Sequence, residues 1–195
     1  MLRIIKANLL LGAVLLTGCV SYSQHELAPV QSWPPQAQAQ AVKPTAYVRT
    51  TAQYQVNRGQ PNATAGKPAE AWEQALVDTY KQSGRFARVS TEKVTADIYA
   101  ESTLTNHEQY NVASAIITGA TFFIIPSTAR NTFTLDTVFK DKDGKELGRI
   151  SKSESVRTWM HLVLIVGIPF QQDTSELVRQ LTQSTLDEAV KRQLL

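Results

Sequence analysis

TFTLDTVFKDKDGKELGRISKSESVRTW, residues 132–159, is the stretch whose reading decides the fold. Phe133, Leu135, Thr137 and Phe139 fall on one face, the period-two pattern of a half-buried strand. Asp143-Gly144 is a hairpin signal, because both central residues of the tightest hairpin turns adopt positive φ. A long polar strand, ELGRISKSESVRTW, leaves the turn. A two-residue loop places Lys142 opposite Lys145, and in that register Asn131 lies near Val156 and Thr128 near Trp159. The hairpin is therefore long, and everything that leaves its open end is brought together there.

Working outward, AYVRTTAQYQV (46–56) alternates with Ala46, Val48, Thr50, Ala52, Tyr54 and Val56 on one face. After a Gly/Pro/Asn loop, AEAWEQALVDTYKQSG repeats Trp72, Leu76 and Tyr80 every four residues. It carries Pro68 in its first turn and ends at Gly84, so it is expected to be a helix. Phe86 and Val89 begin an extended return, and residues 94–105 alternate again through Ala96, Ile98, Ala100 and Leu104. Asp173 and Glu176 open a second helix running to about Gln193, with Leu177, Val178, Leu181 and Ala189 inside. Hairpin-linked strands outnumber helices. The expected class is α+β, a mostly antiparallel sheet with two helices packed on one side and two short apolar segments at the base of one hairpin. This element order is similar to that of the small α/β domains of envelope lipoproteins and the amino-terminal domain of TolB.

The apolar segments are SAIITGATFFIIPS (114–127) and WMHLVLIVGIPF (159–170), and no charged residue occurs from Gln109 to Ala129. Each ends at Ile-Pro, where proline can neither continue a helix nor donate to a ladder. Neither reaches the roughly 20 strongly apolar residues of a spanning helix. Three readings remain: buried core under the sheet, an exposed patch for a partner or a ring of copies, or an interfacial membrane contact. The residues at stake are Ile116, Ile117, Phe122, Phe123, Ile124, Ile125, Trp159, Met160, Leu162, Leu164, Ile165 and Phe170.

The N-terminus, MLRIIKANLLLGAVLLTGCV, has Arg3 and Lys6 before an apolar stretch of signal-peptide length. It closes on Leu16-Thr17-Gly18-Cys19, which resembles the lipobox of bacterial lipoproteins. That resemblance implies a signal peptide over residues 1–18, cleavage between Gly18 and Cys19, and diacylglycerol with further acylation on Cys19. Val20 in place of Asp implies the outer membrane, with a lipid-anchored domain facing the periplasm. Cys19 is the one cysteine of the chain, so no internal disulfide competes for it. Two or more acyl chains hold a protein stably to a bilayer.

Residues 19–44, rich in Gln, Ala, Ser and Pro, are expected to be a flexible, lipid-anchored linker reaching roughly 75 Å when extended. Trp33-Pro34-Pro35 within it is either a docking motif or a segment packed back on the body. Residues 45–195 then form a single α+β domain. Processing removes Arg3 and Lys6 from the 20 basic side chains, leaving a near balance with the 17 acidic ones. Nucleic-acid binding is not expected.

No catalytic pattern emerges. His25, His107 and His161 have no metal-ligand spacing, and no nucleophile motif is present. Asp97, Glu101, Asp136 and Glu154 fall on strands with no partner visible in the sequence. The expectation is a non-enzymatic outer-membrane lipoprotein without metal or cofactor. It would bind or assemble with another envelope component, itself included; the alternative is a carrier or sensor of a lipid-like apolar ligand.

Overall fold

The computed structural model describes residues 18–35, 42–64, 66–164 and 173–195. Among them are seven strands: β1 (Gly18–Ser23), β2 (Thr45–Val56), β3 (Asn62–Ala63), β4 (Arg88–Ser90), β5 (Ile98–Tyr110), β6 (Ser127–Asp141) and β7 (Glu146–His161). Three helices join them: α1 (Lys67–Gln82), α2 (Val112–Ala120) and α3 (Thr174–Lys191). The strands form one sheet in the order β1-β7-β6-β5-β2-β3, with β4 also on β2. The fold is α+β and the sheet mostly antiparallel.

β2 and β5 run parallel over most of their length, Ala46 opposite Ile98 through Val56 opposite Glu108. Parallel neighbours need a crossover, and α1 supplies it. The short β4 and β3 line the other edge of β2 in succession, at Thr45–Tyr47 and at Gln53–Tyr54.

Burial follows the alternation that the sequence displays. Ala46, Val48, Ala100, Leu104, Phe133, Leu135, Phe139 and Ile150 are buried on one sheet face. Trp72, Leu76 and Tyr80 of α1 and Leu177, Val178, Leu181, Leu186 and Ala189 of α3 pack with them in one core. The Trp72 and Phe133 rings meet edge to face at 5.8 Å. Buried hydroxyls turn back on their own helices: Thr79, Thr182 and Thr185 donate to the carbonyls of Ala75, Val178 and Leu181 at 2.7, 2.7 and 2.9 Å. Lys152, on the helix-facing side of β7, pairs with Glu188 of α3.

The β6–β7 register holds Asn131 opposite Val156 and Thr128 opposite Trp159, as expected. The turn differs. Gly144 donates to the Asp141 carbonyl at 3.0 Å and Asp141 to that of Lys145 at 3.0 Å, closing a three-residue loop, Lys142–Gly144. Only Gly144 has positive φ, at 81°. The Asp141 carboxylate accepts from the N–H groups of Asp143 and Lys145, both at 2.9 Å, which fixes this wider loop. The longer loop shifts the pairing by one residue, so that Lys140 faces Glu146. A bulge between Phe139 and Lys140 shifts it back, because Phe139 faces Gly148. The two departures cancel.

The expected linker needs a larger correction. Gly18–Ser23 is an edge strand paired antiparallel with β7, Cys19 opposite Met160 and Ser23 opposite Val156. The chain then stays on the body: Gln24 donates to the Ser155 carbonyl at 2.8 Å, and Leu27 and Trp33 pack against the core. Trp33 is thus packed back on its own domain.

Candidate functional site

α2 begins where Asn111 caps it, its side chain accepting from the Ser114 N–H at 3.0 Å. It ends in a Schellman arrangement: the Phe123 N–H reaches the Thr118 carbonyl at 2.8 Å, and the Phe122 N–H reaches that of Gly119 at 3.1 Å. Such an ending demands a left-handed residue, usually glycine. Here Phe122 and Phe123 adopt φ of 51° and 64°. A side chain in that conformation costs about 1 kcal/mol or more per residue. Phe122→Gly should therefore leave the domain as stable as before, or more stable by up to about 1 kcal/mol. Urea unfolding of the Cys19→Ser form, with and without this change, checks it.

The reading of the first apolar segment as buried core is overturned. Within α2 only Thr118 is buried. Ile116 and Ile117 are 66% and 47% exposed, Phe122 69%, Ile124 64% and Ile125 48%. A nine-residue helix beyond the sheet's end has no facing layer to pack against, so its branched side chains remain outside. Val112 and Val163, which the sequence did not single out, are exposed beside them; Val112 stands one turn before Ile116 on α2. Phe123 is half-buried, and its carbonyl accepts from the Leu162 N–H at 2.9 Å. That bond joins the two segments. Met160, Leu162 and Leu164 are half-buried and Trp159 is exposed. Ile165 and Phe170 lie outside the described residues.

Cys19 reaches the same end. It is exposed and faces Met160, which on its other side faces Ser127, the first residue of β6 after the apolar turn. Ser21 shares a hydroxyl hydrogen bond of 2.8 Å with Thr158, and the Trp159 ring N–H donates to the Tyr22 hydroxyl at 3.1 Å. Behind this aromatic pair Arg130 and Arg157 stand directly opposite each other on β6 and β7. Arg130 also pairs with Glu26 at 2.5 Å.

Glu154 anchors the N-terminal strand. The residue is 2% exposed. Its carboxylate accepts from the Ser23 hydroxyl at 2.8 Å and from the Leu27 N–H at 2.6 Å. Burial acts to raise its pKa, but the hydrogen bonds from Leu27, Ser23 and the N–H groups of Glu26 and Ser155 outweigh burial and hold it below the ordinary value. Glu154 also lines a cavity of about 470 Å³ with Ser23, His25, Glu176, Gln180 and Gln183. Glu176 pairs with Arg179 at 3.2 Å. Both carboxyl groups of that cavity are thus engaged.

Three further carboxylates, Asp97, Glu101 and Glu108, have separate partners. Asp97 accepts from the N–H and hydroxyl of Thr45, both at 2.8 Å, and these bonds lower its pKa. Glu101 pairs with Lys140 at 2.5 Å. Glu108 accepts from the Tyr54 hydroxyl, whose pKa is pushed up to about 12 by burial and by this carboxylate. His107 contacts the Asn57 carbonyl at 2.6 Å through Nε2, and the Val163 N–H points at His161 Nδ1 at 3.3 Å. No cluster of metal-ligating side chains occurs among the described residues.

No family model and no curated protein matches the chain. Similarity to solved structures is low. A PelC dodecamer from Paraburkholderia phytofirmans is 9% identical with a TM-score of 0.29, over 88% of this chain and 95% of that one. A minor lipoprotein from Acinetobacter baumannii is 10% identical with a TM-score of 0.31, over 75% and 89%. A DUF4136 family protein from Bacteroides thetaiotaomicron is 8% identical with a TM-score of 0.31, over 91% and 96%.

Proposed function

We propose that the chain is a non-enzymatic lipoprotein of the outer membrane, acylated on Cys19, whose periplasmic domain binds or assembles with another envelope component. The observation that carries the reading is the position of Cys19. The cysteine that ends the lipobox-like run is exposed at an edge of the sheet, on the same end as the apolar segments. A sulfur buried in the core could not carry a diacylglycerol; this one can. For partner binding the domain offers the sheet face turned away from α1 and α3. There Thr51, Thr103, Thr105, Thr134, Ser151 and Ser153 line neighbouring strands with Arg49 and Asp136, and burial on these strands is concentrated on the opposite face. A broad polar face of this kind suits a protein or glycan surface better than a small apolar ligand. The carrier reading finds less support, because the described apolar side chains turn outward instead of roofing a chamber. The carboxylates of Glu154, Glu176, Asp97, Glu101 and Glu108, each held by a separate partner, likewise favour binding over catalysis.

Metabolic labelling with palmitate in a Gram-negative host tests the anchor. The mature protein should incorporate label, begin at Cys19 and fractionate with the outer membrane, and Cys19→Ser should abolish all three. Photo-cross-linkers at Thr103, Thr134 or Ser153 should then trap an envelope component in intact cells. An unlabelled wild-type product removes the anchor; cross-linkers that trap nothing remove the binding face.

A further inference from the structure

We infer that α2 and the turn after it form a second membrane contact, inserting into the leaflet that holds the Cys19 acyl chains. The inference deepens the proposed function and rests on its reading of Cys19 as acylated.

Position is the first argument. Cys19, Met160 and Ser127 lie side by side on three adjacent strands. At about 4.8 Å between strands, Cys19 is roughly 10 Å from the residue where the apolar turn rejoins the sheet. β1 is paired with β7 from Gly18 to Ser23, and Glu154 grips Ser23 and Leu27 just beyond. The anchor therefore cannot swing away from the body. Acyl chains entering a bilayer at Cys19 bring Ile116, Phe122 and Ile124 to its surface as well.

Chemistry is the second. The tip has no charge from Gln109 to Ala129, so inserting it desolvates no ion. Trp159 comes next, opposite Val20, and donates to the hydroxyl of Tyr22, which lies at the level of Arg157; both rings are partly exposed, and both residue types favour the level of lipid headgroups. Arg157 lies three residues along β7 from Met160, roughly 10 Å further from the tip. Arg130, directly opposite, is already paired with Glu26, so Arg157 is the cation that lipid phosphates meet at that height. The order apolar, aromatic, cationic matches the depth profile of a leaflet, which interfacial helices enter by about 5–10 Å. No described helix is long and apolar enough to cross a membrane, so the contact is one-sided.

The strained C-terminus of α2 fits this role. Phe122 occupies a left-handed position that favours glycine and projects an exposed ring. Its local cost is offset once the ring leaves water.

The test uses the full acylated protein reconstituted in vesicles of phosphatidylethanolamine and phosphatidylglycerol. An environment-sensitive fluorophore is placed on Ala120→Cys in the tip and, separately, on Asp143→Cys at the far end of the hairpin. Position 120 should shift to the blue and be quenched several-fold by brominated lipids, while position 143 stays unquenched. Combining Ile116→Asp, Phe122→Asp and Ile124→Asp should return position 120 to water-like emission while palmitate incorporation persists. Position 120 unquenched in palmitate-labelled protein overturns the inference, as does shielding that appears without lipid and grows with protein concentration. If no palmitate is incorporated, the anchor reading fails separately. Quenching at position 120 on added vesicles then still upholds the contact, and its absence overturns it.

Discussion

Leu135→Ala should destabilise the domain by about 3 kcal/mol and lower its melting temperature by about 10 °C. Leu135 has no exposed surface and lies midway along β6, with Leu104 of β5 and Lys152 of β7 as its cross-strand partners. The helices close over it, so removal of its branched end leaves a void that neighbours can fill only by moving an entire layer. A surface change of the same size, Leu147→Ala, should fall within about 0.5 kcal/mol, because Leu147 is 37% exposed near the hairpin tip. Urea unfolding of the Cys19→Ser forms separates the two. Equal effects would show that the core is not centred on β6.

The second large effect is expected at Glu154. Glu154→Ala leaves the Leu27 N–H and Ser23 hydroxyl without their acceptor and should cost about 2 kcal/mol, less than a rigid core site because the N-terminal segment can move into water. The loss should be local: amide exchange should rise at residues 21–27 and stay unchanged at Leu177–Leu186. The pH dependence has a defined sign. The folded carboxyl titrates below its ordinary value, so the clamp contributes fully above the unfolded-state pKa. Its contribution declines as pH falls through the folded pKa. Glu154→Gln should flatten that acid limb of stability. A limb of unchanged steepness in the variant would assign the acid sensitivity to other carboxylates.

The contrast between these two sites explains what a sequence can disclose. Wherever one face of an element meets the core, side-chain period records it: Phe133, Leu135, Thr137 and Phe139 on β6, Trp72, Leu76 and Tyr80 on α1, Leu177, Val178 and Leu181 on α3. The β6–β7 register was legible for the same reason, since a one-residue slip would turn every buried side chain outward. The loop was not, because Asp-Gly serves two- and three-residue hairpins alike and the choice rests on the Asp141 carboxylate.

β1 gives no sequence signal, because it is paired on one edge only and half-exposed, so Val-Ser-Tyr-Ser carries no burial rhythm. The role of Glu154 depends on an N–H 127 positions away, which no local pattern encodes. For the apolar end, the sequence supplied nearly all the residues and the absence of charge. It could not supply direction: a continuous apolar run reads the same whether it faces a core or a solvent that is itself oily. The outward direction of these side chains comes from α2, a short helix beyond the sheet's end that closes on two left-handed phenylalanines.

The antiparallel pairing of β1 with β7 also sets an order of events. Cys19 faces Met160, 141 positions later in the chain, and β7 is the one neighbour of β1 among the described strands. β7's outer edge therefore stays vacant until the last strand of the sheet has been made. The first described strand in the chain is the last to find its place.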